Sequence, residues 1–193
     1  MTVNTSAHDT RPTPVRSVPP AHRTVVLGAA AGLQVRAPKP EDVPDLLDFL
    51  TAGLRGYRAF APAGWEPPLQ NSPAKSKRML AELSDARTYS QVAEAEGQIV
   101  GFVHWCVPDP PVDIRFRYLF VAEPHWGTGL AQELHDGAVA AMGSQTARLF
   151  TPRVHVRARR FYERRGWRLN DALETSPVGL PVVEYRRTGG ELP

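Results

Sequence analysis

Two closely spaced glycines, Gly127 and Gly129, follow the apolar run Leu119, Phe120 and Val121 and precede a stretch whose apolar residues recur at helical spacing. A strand that ends in a small-residue turn and restarts as a helix leaves main-chain N–H groups unpaired. They lie at the positive end of the helix dipole, where a phosphate can accept them. Trp126, Gly127, Thr128, Gly129, Leu130, Ala131 and Gln132 are therefore read as an anion-binding turn made of backbone, with glycine admitting a ligand at close range. Gln132 stands where a dinucleotide fingerprint needs its third glycine, and no Gly-Lys-Ser/Thr ending follows, so both better-known phosphate loops are excluded. On this segment alone, a tight strand-to-helix turn with no ligand is an equal reading.

A second segment some thirty residues on, from His155 to Trp167, reads as a short helix closed by Gly166. Together the two resemble motifs A and B of the GCN5-related N-acetyltransferase (GNAT) superfamily, which uses acetyl-CoA. Motif A there reads Gln/Arg-x-x-Gly-x-Gly/Ala, met here from Trp126 to Ala131 with Trp in first place. Motif B reads Asn-x-x-Ala-x-x-Phe-Tyr-Glu-x-x-Gly-Phe, matched at Ala158, Phe161, Tyr162, Glu163 and Gly166. It departs at His155 for Asn and at Trp167 for Phe. The resemblance covers roughly residues 33 to 187.

Acetyl transfer from a thioester to an amine needs a neutral amine, a stabilised tetrahedral oxyanion and a proton for the departing thiolate. The resemblance implies a place for most of these. The thioester carbonyl would lie beside a main-chain N–H near Val121, with Leu119 and Phe120 on the same strand, and Gly127 to Gln132 would hold the pyrophosphate. Tyr162 matches the family tyrosine that protonates the sulfur; a phenol of pKa about 10 can serve a thiolate of pKa about 8.5. Packing against Phe161 is the structural alternative for that ring. His155 replaces an asparagine that binds the pantetheine arm, and Ala158 belongs to the same cofactor-binding helix.

No general base stands where relatives place one: the central strand offers Arg115 and Arg117, and the strand before motif B offers Phe150. Water or an already neutral amine is therefore expected to manage the proton, with Asp113 and His104 as fallbacks. Arg115 and Arg117 are read as projecting to one face with Leu119 and Val121, where their forks would suit a carboxylate on the acceptor. Tyr57, Phe60 and Trp65, in an aromatic connector, are candidate acceptor-pocket residues by the same resemblance, or core rings.

The whole chain has 193 residues, 42% apolar and 22% charged, which is enough for one globular domain with a proper core. Residues 1–24 form an expected disordered tail, since Met1 to His22 holds four prolines and hardly any large apolar side chain; residues 25–193 form the acetyltransferase domain. Val25 to Leu33 is too short to span a bilayer and too late for a signal peptide, and Cys106 is the single cysteine, so the default is a cytoplasmic protein without membrane or disulfide framework. Cys106 itself reads as a buried small side chain. Eight arginines crowd Arg148 to Arg168 against one acid, Glu163, but no aromatic platform or zinc spacing accompanies them, so a nucleic-acid partner is not expected. No metal is implied, and a homodimer is left open.

Turn and periodicity signals give strand, two helices, three strands, helix, strand, helix, two strands. That is the β-α-α-β-β-β-α-β-α-β-β order of the GNAT-like acyl-CoA N-acyltransferase fold, a mixed α/β sheet. The first helix opens at Pro40 with Val43, Leu46, Leu47, Leu50 and Leu54 inward. The second is capped by Ser72 with Met79, Leu80 and Leu83 on one face, and the third runs 127 to 142 with Leu130, Leu134, Ala138 and Met142 aligned. Ile114, Phe116, Tyr118 and Phe120 are read as sharing one face of the central strand. In that fold the strands at 114–121 and 147–153 splay, and the pantetheine arm lies between them. The function implied is acetylation of a primary amine on a small molecule by direct attack in a ternary complex. A protein N-terminal or lysine acetyltransferase, or a CoA-binding module without turnover, are the alternatives.

Overall fold

The structure is a computed structural model that describes residues 32–108 and 113–189; the expected tail and the Pro-rich break at 109–112 lie outside the described residues. Its strands are β1 (Leu33–Arg36), β2 (Thr88–Ala95), β3 (Gln98–Cys106), β4 (Ile114–Val121), β5 (Ala147–Pro152), β6 (Arg168–Thr175) and β7 (Pro181–Arg187), and its helices are α1 (Val43–Arg55), α2 (Pro73–Ser84), α3 (Leu130–Met142) and α4 (Val156–Glu163). The order along the chain is the one expected. The strands form a single seven-stranded sheet, β1-β2-β3-β4-β5-β7-β6, antiparallel except for the parallel β4–β5 pair.

Local sequence explains most boundaries. Pro40 opens a 3-10 turn rather than α1 itself, and the helix proper starts at Val43, with Val43, Leu46, Leu47, Leu50 and Leu54 buried. Ser72 caps α2 by accepting from the Lys75 N–H at 3.4 Å, with Pro73 as its first residue. Met79 is buried there, but Leu80 is 39% exposed, because adjacent helical residues point about 100° apart. β6 is longer than the 167–169 segment read from the sequence.

Two cores lie on opposite faces of the sheet. On one, α3 and α4 pack Leu130, Leu134, Ala138, Met142 and Tyr162 against Val103, Trp105, Ile114, Phe116 and Tyr185. On the other, α1 and α2 pack Leu46, Leu47, Leu50 and Met79 against Val92 and Phe102, with Tyr118 and Phe120 at the margin.

The central strand departs from simple alternation. Trp105 pairs with Phe116 but His104 pairs with Tyr118, so Arg117 is an extra residue, a β-bulge. The bulge reverses the side-chain parity: Ile114, Phe116, Leu119 and Val121 face α3 and α4, whereas Tyr118 and Phe120 face α1 and α2. The single face expected for Ile114, Phe116, Tyr118 and Phe120 is thus corrected, as is the grouping of Arg115 and Arg117 with Leu119 and Val121.

Candidate active site

β4 and β5 stay paired only through Ile114–Ala147, Arg115–Arg148 and Phe116–Leu149. Beyond Phe116 the strands part, leaving unpaired strand edges that can hydrogen-bond a ligand. β4 then leads through Ala122 and a short 3-10 turn, Glu123–His125, to the glycine turn. The helix that follows begins at Leu130, three residues later than the sequence implied, because Gly127 and Gly129 adopt φ of +82° and +93°. An L side chain at either position would strain the backbone even though a Cβ there would touch nothing within 4 Å.

The turn is open. Gly127, Thr128, Gly129 and Gln132 are exposed, and the N–H groups of Gly127, Thr128, Gly129, Ala131 and Gln132 meet no protein acceptor among the described residues. Thr128 Oγ1 donates to the His125 carbonyl at 2.8 Å, which fixes the curve of the turn. Trp126, half exposed, donates its indole N–H to the Val121 carbonyl at 2.7 Å and lies under the Arg157 guanidinium at 4.2 Å. Unpaired donors at the head of a 13-residue helix fit a pyrophosphate.

Tyr162 enters the same region from the α4 side. Its ring is buried among Phe116, Phe161 and Trp167, with centroids 6.3, 5.4 and 6.0 Å away, and burial followed by the neighbouring Tyr57 phenol pushes its hydroxyl well above the ordinary range. Tyr57 comes from the opposite face of the sheet, at the end of α1, and burial pushes it up to about 12. The two phenols approach from opposite faces of the sheet, and both are protonated at neutral pH. His155 heads α4, with Phe60 stacked on it at 4.9 Å and Tyr57 edge-on at 5.5 Å. Its Nδ1 is buried without a partner, and burial together with the Arg157 charge lowers its pKa, so the ring presents a neutral donor-acceptor pair. Ala158 packs half-buried against the α3 and α4 core.

On the α1 and α2 face a cleft of about 900 Å³ runs from Tyr57 and Phe120 down β4 and β5 to Arg115 and Arg148. Its far wall is the 176–178 loop. Trp65 does not line it; its indole donates to the Val178 carbonyl at 2.8 Å and anchors that wall. Phe60 is likewise occupied with His155. Arg117 is committed within the wall: it donates to Glu82 at 2.5 Å, and Glu82 also accepts from Arg78 at 2.8 Å. Burial pushes the Glu82 carboxyl up, but the two guanidiniums outweigh it and hold it below the usual range, so it is a poor base.

His104 is removed as a fallback base. It is fully buried, its Nδ1 is 2.7 Å from Ser90 Oγ, and its Nε2 is 3.6 Å from Glu82, beyond hydrogen-bond distance. Burial depresses its pKa to about 4. Asp113 turns to Arg186, 3.8 Å away. Cys106 is half-buried beside the cleft, and burial raises its pKa, so it remains a thiol. Sequence reasoning missed Arg148 and Glu82 as cleft residues. For Arg148 the signal existed, since it alternates with Leu149 on a strand, but it was merged into the arginine-rich run.

Among the described residues no group of three or more His, Cys, Asp or Glu side chains is placed to hold a metal ion, and no helix is long and apolar enough to cross a membrane.

The sheet thus opens beside an unblocked glycine turn, with the Tyr162 phenol buried against Phe116, the last residue of β4 paired with β5. Residues 85–169 match the family model described as Acetyltransferase (GNAT) domain. The fold is similar to PaiA N-acetyltransferase from Thermoplasma acidophilum in complex with coenzyme A, at 16% identity and TM-score 0.61 over 80% of this chain and 99% of that one. It is similar to a histone acetyltransferase HPA2 and related acetyltransferase from Corynebacterium glutamicum, at 20% identity and TM-score 0.59 over 84% and 98%. Arabidopsis thaliana Naa50 in complex with the bisubstrate analogue CoA-Ac-MVNAL shares the fold at 12% identity and TM-score 0.58 over 82% and 99%. No curated protein sequence matches the chain.

Proposed function

We propose that the protein moves the acetyl group of acetyl-CoA to a primary amine of a small molecule by direct attack in a ternary complex. The observation that carries this reading is the row of unpaired N–H groups of Gly127, Thr128, Gly129, Ala131 and Gln132, set beside the parting of β4 and β5. These donors would hold the pyrophosphate, and the strand edge at Leu119, Phe120 and Val121 would receive the pantetheine arm, with His155 and Ala158 flanking it. Acetyl-CoA supplies an activated thioester carbonyl.

The amine lone pair forms the C–N bond, the carbonyl electrons move to oxygen, and their return breaks C–S. The proton lost by the amine ends on the coenzyme sulfur. Tyr162 is assigned the hydrogen bond to the departing thiolate. Because burial holds its pKa above that of a thiol, the phenol shares its proton with the sulfur rather than surrendering it first. With the Glu82 carboxylate held by arginines and His104 sealed in the core, water is assigned to relay the amine's proton on its way to the sulfur. The cleft, its wall pinned by Trp65, supports a small acceptor over a polypeptide.

Melting the protein with acetyl-CoA at a hundred times Kd is expected to add about 2.7 kcal/mol of stability, a shift of a few degrees for a chain of this size. Thiol release against a panel of free amines and peptides then separates small-molecule transfer from peptide transfer. An unchanged midpoint, or binding with no thiol release from any amine, overturns the reading.

A further inference from the structure

Four arginines occupy one continuous line across the sheet. Arg115 on β4 pairs with Arg148 on β5, Arg148 with Arg186 on β7, and Arg186 with Arg168 on β6. Residues paired across strands share a face, so the four side chains leave the sheet on the side of α1 and α2. Like charges directly opposite one another destabilise a sheet unless something compensates them.

Compensation within the protein reaches only part of the line. Arg186 lies 3.1 Å from Glu184 and 3.8 Å from Asp113. The side chains of Arg115 and Arg148 have no hydrogen bond or ion pair with any described residue, and the Nε of Arg148 is buried with no acceptor. Both line the cleft described above. The two acids of that cleft are already taken, Glu82 by Arg78 and Arg117 and Asp85 by Arg87. Two adjacent guanidinium forks, one with a buried unpaired donor, are left facing an open space.

We propose that Arg115 and Arg148 form an anion site for the acceptor, so that the amine substrate carries a phosphate or carboxylate at the end remote from its nitrogen. This rests on the acetyltransferase reading for the near end of the cleft. Two guanidiniums can bind such an anion through parallel N–H···O bonds, which a neutral or cationic acceptor cannot offer. Four residues of strand separate Arg115 from Leu119, about 13 Å at the usual rise, so the acceptor is an extended molecule with charge and amine at opposite ends.

The test uses aminoalkyl phosphates, ω-amino carboxylates and amino alcohols of graded chain length, with saturating acetyl-CoA. The anionic series is expected to be preferred, increasingly so at longer chain length. Arg148→Gln and Arg115→Gln are each expected to raise KM for anionic amines roughly tenfold to a hundredfold while leaving KM for acetyl-CoA unchanged. Lys77→Gln removes an equal charge from an exposed site on α2 and is expected to leave the preference intact. Which anionic series wins distinguishes phosphate from carboxylate.

Inorganic phosphate, added to the protein saturated with CoA, gives a readout free of turnover. It is expected to raise the melting temperature of the wild type and not that of Arg148→Gln, whose own melting without phosphate should equal or exceed the wild type as repulsion is relieved. Anionic preference retained in both variants, phosphate stabilisation that survives Arg148→Gln, or an equal loss in Lys77→Gln overturns the proposal. Failure to bind acetyl-CoA would instead overturn the acetyltransferase reading and leave the phosphate result to decide the anion site.

Discussion

Tyr162 combines two properties that ordinarily oppose each other, a ring sealed in the core and a hydroxyl with chemistry assigned to it. Removing only the oxygen separates them. Tyr162→Phe keeps the packing against Phe116 and Trp167 and is expected to lower kcat about a hundredfold with KM for acetyl-CoA nearly unchanged, as measured by steady-state thiol release. A fall in melting temperature with intact kcat would assign the ring to structure alone. Gly129 makes a different demand at the same scale. At φ +93° with open space where a methyl would go, Gly129→Ala meets no clash and incurs only backbone strain, about 1 kcal/mol. Because the strain falls on the turn that presents the free N–H groups, calorimetry should find weaker acetyl-CoA binding together with a small loss of stability. The motif residues around these two positions were legible in the sequence because their types are dictated by backbone conformation and chemistry.

The elements were legible wherever one face of a periodic segment is buried, as in α1 and α3. They were not where a single inserted residue changes the rule. Nothing in Ile-Arg-Phe-Arg-Tyr-Leu-Phe-Val announces that Arg117 is a bulge, since its place is set by the register of β3 and by Glu82 reaching across from α2. α1 approaches β4 through Gly53, whose absent Cβ would lie 2.5 Å from the Phe120 ring. Alanine there would gain about 1 kcal/mol of helix propensity but add volume against a ring that must shift to admit it, at roughly 1–3 kcal/mol. Gly53→Ala is therefore expected to lower the melting midpoint and weaken acceptor binding more than acetyl-CoA binding. A midpoint above wild type would mean that α1 slides freely on the sheet.

For the molecule as a whole, pH acts through histidines sealed in the folded state. His104, flanked by Ser90, Tyr118, Glu82, Arg78 and Arg117, has its pKa depressed to about 4 by burial, against about 6.5 when unfolded. As pH falls below 6.5 the unfolded chain takes a proton that the native one refuses, so this stability is complete above 6.5 and is lost toward pH 4, on the order of 3 kcal/mol. His135 and His155, also depressed by burial, act in the same direction. Denaturant titrations at stepped pH are expected to show a shallower acid slope for His104→Gln; an identical slope would mean that His104 charges without unfolding. Sheet order and the stacking of Phe60 on His155 could not be read from the sequence, because they depend on contacts between segments far apart in the chain. The cleft was hidden for the same reason, being assembled from α1, α2, five strands and the 176–178 loop.

The placement of the tryptophans carries a practical consequence. Trp105 and Trp167 are almost wholly enclosed, whereas Trp126 stands half in solvent at the edge of the glycine turn, hydrogen-bonded to the last residue of β4 and covered by Arg157. The protein thus carries an intrinsic optical reporter at the mouth of the groove proposed for the coenzyme. A change in indole emission on mixing with coenzyme would time the arrival of the diphosphate independently of the chemistry that follows.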